Sequence, residues 1–186
     1  MSIVLKQLKE QNEDFGEVDL EVHNFIFKDW NVFYNLYNPE NFEDPENSPE
    51  WYDDSDVYEY HEKPYSNPEK VTFYSSKKVK SFKNVEELIN KSAEMEEKIL
   101  AAIVKHTFGN GGAYASAEHY EYAKRTMEIL HKVNFTNEEF IKRNLCINTI
   151  IIGEEDNELE LHFDCSWNGE HPLVVLLVNN AIKSIE

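Results

Sequence analysis

ELELHFDC, residues 158–165, alternates without a break. Leu159, Leu161, Phe163 and Cys165 take one parity, and Glu158, Glu160, His162 and Asp164 take the other. Successive side chains of a strand point to opposite faces, whereas a helix brings together residues three and four apart. The stretch therefore satisfies both parities as a β-strand with one face in a core and the other in water.

Its neighbours extend the pattern. LCINTIII, residues 145–152, reads as the preceding strand, and the turn-prone GEEDN joins the two. PLVVLLV, residues 172–178, reads as a strand buried on both faces and starting at Pro172, and Asn179-Asn180 turns it into AIKSI. The C-terminal third is thus a meander. Near the other end, FGEVDLEVHNFIF places Val18, Leu20 and Val22 on one side of a further strand, and WNVFYNLY, residues 30–37, is rich enough in aromatic residues to follow as another.

The middle of the chain changes period. Asn84 is placed to cap a helix, Glu87 follows three residues on, and Val85, Leu88, Ile89, Met95, Ile99 and Ile103 recur at helical spacing to about His106. The Gly109–Gly112 run ends it, a second helix is expected from Ser116 to Val133, and Thr136 with Glu139 opens a short third that ends near Asn144. The chain of 186 residues suits one domain. The expectation is an α+β fold over residues 1–186: an antiparallel sheet built from N- and C-terminal strands, with two to three middle helices packed on one face.

Residues 41–68 interrupt this plan as an acidic, aromatic-rich loop or insertion. Pro45, Pro49, Pro64 and Pro68 break any ladder, and nine carboxylates face one lysine there. Val57 to Tyr60 has the composition of a short edge strand. Residues 70–83 carry five lysines and no acid, interleaved with Val71, Phe73, Val79 and Phe82, as in a strand whose lysines guard a sheet edge.

Charge limits the partners. With 36 Asp and Glu against 18 Lys and Arg, the net charge is −18, which repels nucleic-acid backbones and anionic membranes and favours a basic protein. The N-terminus lacks the basic start and long apolar core of an export signal, and no run approaches a membrane span. Cys146 and Cys165 both fall in apolar alternations and read as buried thiols of a reducing, cytoplasmic compartment.

The chemical candidates gather near the C-terminus. Alternation sends His162 and Asp164 to the polar face, while Cys165 points with the core, so a metal held by these three would need a break in the pleat. Glu170 and His171, in the loop after Trp167, could swing back to give two imidazoles and two carboxylates around one site. Against this, Trp167 can anchor a strand connection whose loop Glu170 and His171 brace. Elsewhere, GNGGAYAS lacks the Lys-Ser/Thr ending of a phosphate loop, and Ser116 with His119 lacks an orienting acid. Asp53 to Asp56 lacks the glycine and closing glutamate of a calcium loop. His61-Glu62 has no second histidine at metalloprotease spacing. No cofactor is implied.

TNEEFIKRNLCINTIII and LHFDCSWNGEHPLVVLLVNNAIKSI, with EMEEKILAAIVKHTFGN upstream, resemble a family of uncharacterised bacterial proteins. Its signature is a strand ending in Cys-Asp-Trp, an Asp-Glu-Glu-His-Gly loop and a short hydrophobic strand. The resemblance covers residues 84–186. Trp167, Glu170 and His171 agree with it, whereas Asn168 replaces the first loop acid and Pro172 the closing glycine, so no catalytic role is carried over. Members are often encoded near polymorphic toxins, which implies an immunity or accessory role.

Two functions compete on these grounds. The first is a non-enzymatic interaction or immunity-type protein binding a basic partner such as a toxin domain. Its contacts would be Glu50, Trp51, Tyr52, Asp53, Asp54 and Asp56, where aromatic anchors sit beside acids. The alternative is a metal-dependent enzyme or small-ligand protein using His162, Asp164, Glu170 and His171. A third reading has the lysine-flanked strand after residue 70 joining its edge to a neighbouring copy; the oligomeric state stays open.

Overall fold

The computed structural model describes residues 2–30, 34–36, 58–60, 69–110, 117–131, 134–153, 157–166 and 168–186. The fold is α+β, with strands from both ends of the chain in a six-stranded sheet of order β1-β4-β5-β6-β7-β8. Its strands are β1 (Val18–His23), β4 (Lys70–Ser75), β5 (Leu145–Ile152), β6 (Glu158–Cys165), β7 (Asn168–Val178) and β8 (Ala181–Ile185). A separate two-stranded sheet pairs β2 (Tyr34–Leu36) with β3 (Tyr58–Tyr60), which places the expected short strand near residue 58 outside the main sheet.

The sheet is mixed rather than antiparallel. β4 and β5 run parallel, Phe73 opposite Ile150, because the intervening helices carry the chain back across the sheet before β5 begins. β4 is also interior, flanked by β1 and β5, so it cannot offer an edge to a neighbouring copy. Of its lysines, Lys70 bonds Glu21 across the strand pair, and Lys77, Lys78, Lys80 and Lys83 fall beyond the end of the strand.

The first helix has no counterpart in the periodicity reading. α1 (Ile3–Phe15) is capped by Ser2, whose Oγ accepts from Leu5 N at 3.1 Å, and it ends at Gly16. Gly16 adopts φ +73°, a left-handed conformation that a side chain would strain. Leu5, Leu8 and Asn12 form the buried stripe. Asn12 donates through Nδ2 to Val79 O at 3.0 Å and accepts from Val79 N at 2.8 Å, fixing the helix to the loop after β4.

The long middle helix is two. α2 (Lys83–Asn90) and α3 (Ser92–Lys105) meet at Lys91, whose φ of −117° and ψ of 27° depart from helical values. The N-cap of α2 is Phe82, so Asn84 lies within the helix; it is buried, and its Oδ1 accepts from Asn180 Nδ2 at 3.3 Å. A π-helical turn, His106–Asn110, extends α3, and α4 (Ala117–His131) follows. α5 (Asn137–Lys142) carries the expected capping box, with Thr136 Oγ1 accepting from Glu139 N at 3.1 Å and Glu139 Oε2 accepting from Thr136 N at 2.8 Å.

One sheet face holds the core. Val18, Val22, Val71, Phe73, Ile150, Ile152, Leu159, Leu161, Phe163, Leu173, Val175 and Leu177 are buried in one cluster with Leu8, Leu88, Ile99, Ile103 and Phe140 of the helices. β7 is therefore buried on one face: Leu173, Val175 and Leu177 are enclosed while Val174, Leu176 and Val178 are half-buried. At one end Phe27, Trp30 and Phe163 pack with ring centroids 4.6 to 5.7 Å apart. Glu96 of α3 serves that cluster, accepting from Phe27 N at 3.0 Å and Trp30 Nε1 at 3.1 Å. Asn179 and Asn180 adopt φ 51° and 57°, the mirror-image turn that suits a tight hairpin.

Candidate functional site: the open sheet face

The opposite face carries the outward parity of each strand, polar along β1 and β6 and aliphatic along β7. Backbone register aligns Asp19, Tyr74, Ile151, Glu160, Leu176 and Ser184 in one row across the sheet, and Glu21, Thr72, Thr149, His162 and Val174 in the next. The helices place their buried residues in the core on the other side. Tyr74 is 42% exposed, and Ile151, Val174, Leu176 and Val178 are half-buried.

β6 supplies the chemistry of this face. Glu158, Glu160, His162 and Asp164 stand along it as the alternation requires, while Cys165 faces the core. His162 Nε2 and Glu160 Oε2 lie 2.9 Å apart. Asp164 Oδ1 accepts from Asn148 Nδ2 at 2.5 Å. Desolvation raises the Asp164 carboxyl above its ordinary range, and the Asn148 hydrogen bond opposes that rise. Asn148 belongs to a bulge in β5 between Ile147 and Thr149, and its Oδ1 is buried without a partner.

Glu170 and His171 lie on β7, not in a loop, because the strand begins at Asn168, directly opposite Cys165. Pro172 is correspondingly within β7 rather than at its start. The next paired residues are Phe163 and Leu173, so the four residues Gly169, Glu170, His171 and Pro172 stand against the single residue Asp164. This bulge brings the backbone of Glu170 and His171 beside Asp164; the side chains of both residues, and the whole of Trp167, lie outside what is described. Among the described residues no three His, Cys, Asp or Glu side chains are grouped to hold a metal ion. Cys146 and Cys165 are both buried.

The acidic contacts expected at Glu50, Trp51, Tyr52, Asp53, Asp54 and Asp56 lie outside the described residues, as do Ser116 and His61-Glu62. Periodicity gave no sign of a groove of about 670 Å³ between the π-helical turn and α4, lined by Phe108, Glu118, Glu121, Lys124, Arg125 and Glu128. Its walls are engaged in bracing: Lys124 Nζ donates to Asn137 Oδ1 at 2.6 Å, and Glu128 Oε1 accepts from Phe135 N at 2.8 Å. Nearby, burial lowers the His106 imidazole below its ordinary range.

Fold and face together define an α+β protein with helices on one side of a mixed sheet and an acidic, partly apolar surface on the other. No protein family, curated protein or solved structure matches the chain. Among the described residues no helix is long and apolar enough to cross a membrane.

Proposed function

We propose that the protein is a non-enzymatic, cytoplasmic interaction protein of bacteria, an immunity-type protein that binds a basic partner such as a toxin domain through an acidic surface. The observation that carries the reading is the composition, among the described residues, of the sheet face opposite the core. Among the described residues, Asp19, Glu21, Glu158, Glu160 and Asp164 line it against two lysines, Lys70, which is bonded to Glu21, and Lys183, the exposed extra residue of the β8 bulge opposite Leu176. Such a surface accelerates encounter with a cationic partner and rejects anionic ones, while the half-buried aliphatic side chains supply area to desolvate. The toxin-linked setting that the sequence resemblance of residues 84–186 implies is part of this proposal. Expression beside neighbouring toxin-like genes should rescue growth and yield a co-purifying complex; intact toxicity with no complex would refute the reading.

The bulge opposite Asp164 favours a second reading, a metal-dependent enzyme or small-ligand protein using His162, Asp164, Glu170 and His171. Metal analysis of the purified protein separates the two. Stoichiometric zinc or manganese, lost in both His162→Ala and His171→Ala, would establish this alternative in place of the first.

A further inference from the structure

A basic partner needs a place to sit and a shape that fits it. We propose that the outer face of β5, β6 and β7 is the docking surface, and that its occupant is a basic amphipathic helix of another protein. This rests on the basic-partner reading above and adds the surface and the form of the ligand.

Three parallel stripes make up the face. Along β6 run Glu158, Glu160, His162 and Asp164; on one side lie Thr149 and Ile151 of β5 with Tyr74 beyond, and on the other Val174, Leu176 and Val178 of β7. The Glu160 side chain is 44% exposed, so its carboxylate can be reached from solvent. Side chains on one face of a strand recur about every 6.8 Å. Helix positions four apart recur about every 6 Å, so successive lysines on a helix can follow the acids of β6. Leucines three residues from each lysine stand about 60° round the helix and so form a second row that can lie over the aliphatic stripe of β7. A helix also brings its own backbone hydrogen bonds satisfied, which suits a sheet face that has no free ladder to offer.

Charge selects among the occupants. The chain's own residues 41–68 hold nine carboxylates against one lysine, a charge that does not complement the stripe. A second copy would bring another net −18 to the same surface. A separate, cationic chain is the occupant whose charge complements the stripe.

The test titrates two labelled probes against the full chain: a synthetic leucine–lysine amphipathic helix, and an unstructured oligolysine of equal charge. Fluorescence anisotropy reports binding, and circular dichroism confirms that each variant is folded. The helix should bind about tenfold more tightly than oligolysine, and Glu158→Lys with Glu160→Lys should weaken it by at least about tenfold, as should Leu176→Asp. Glu13→Lys with Glu97→Lys, an equal charge change on exposed helix positions, should leave it within about twofold. Equal losses from the two charge reversals, or equal binding of the two probes, would overturn the docking surface while leaving the basic-partner reading standing. Binding of neither probe would remove both.

Discussion

Gln11 meets the backbone of Asp19 with both ends of its amide: Nε2 donates to Asp19 O at 2.7 Å and Oε1 accepts from Asp19 N at 3.0 Å. β1 is an edge of the six-stranded sheet, and an edge strand presents unpaired groups to any passing chain. The side chain thus imitates a neighbouring strand for one residue. Gln11→Ala should lower stability by about 1 kcal/mol, because the freed groups can turn to water. It should also increase association at high protein concentration. Urea unfolding and sedimentation check the two effects, and an unchanged variant would show that Gln11 protects nothing.

Asn12, the next residue, performs the same exchange in a dry setting. It is 4% exposed, and both its bonds go to Val79, itself buried. Asn12→Ala should cost about 2–4 kcal/mol, several times the Gln11 effect, because Val79 N–H and C=O lose their partner where water cannot replace it. Comparison of the two variants by urea unfolding tests this ordering; equal losses would contradict it.

Glu96 should prove a structural acid. Glu96→Ala leaves the Trp30 indole N–H and the Phe27 amide unpaired beside a tryptophan with no exposed surface, a loss of about 2–3 kcal/mol. Glu96→Gln keeps one accepting oxygen and should lose less. A red shift of tryptophan emission in the alanine variant, with a smaller shift in the glutamine variant, is the expected signature.

Strand parity made the sheet legible. The alternation in β6 assigned Leu159, Leu161, Phe163 and Cys165 to the core and His162 to the outer face, as the burial pattern of the strand bears out. The capping box at Thr136 and the Asn179-Asn180 turn were equally readable, since each is a local hydrogen-bond or dihedral requirement. Pairing was harder, because strand composition does not record which neighbour a strand takes. The parallel step from β4 to β5 depends on how far the intervening helices carry the chain. α1 was missed although Ser2, the Leu5–Leu8 spacing and Gly16 together mark its ends and inner face. Lys91 misled in the opposite sense: apolar spacing continues through it although helical dihedrals do not. At the candidate site, parity placed His162 and Asp164 together, but the bulge that sets Glu170 and His171 against Asp164 has no signature in composition.

Asp164 yields a prediction whose sign distinguishes the two functional readings. Partial burial raises its carboxyl and the Asn148 hydrogen bond opposes the rise, so the folded chain holds the proton more tightly than the unfolded chain does. Between the ordinary aspartate value and the raised one, the native state binds more protons, and stability must fall as pH rises through that interval. Above it the penalty persists in full; below both values it vanishes. Asp164→Asn, with an amide oxygen still able to accept from Asn148, should therefore be more stable than the parent at neutral pH and indistinguishable from it near about pH 3. A cation bound at this position would reverse the order, because the ionised carboxylate would then be the stabilised form and its loss would weaken the fold at neutral pH. Urea midpoints for the two proteins at both pH values decide between these outcomes.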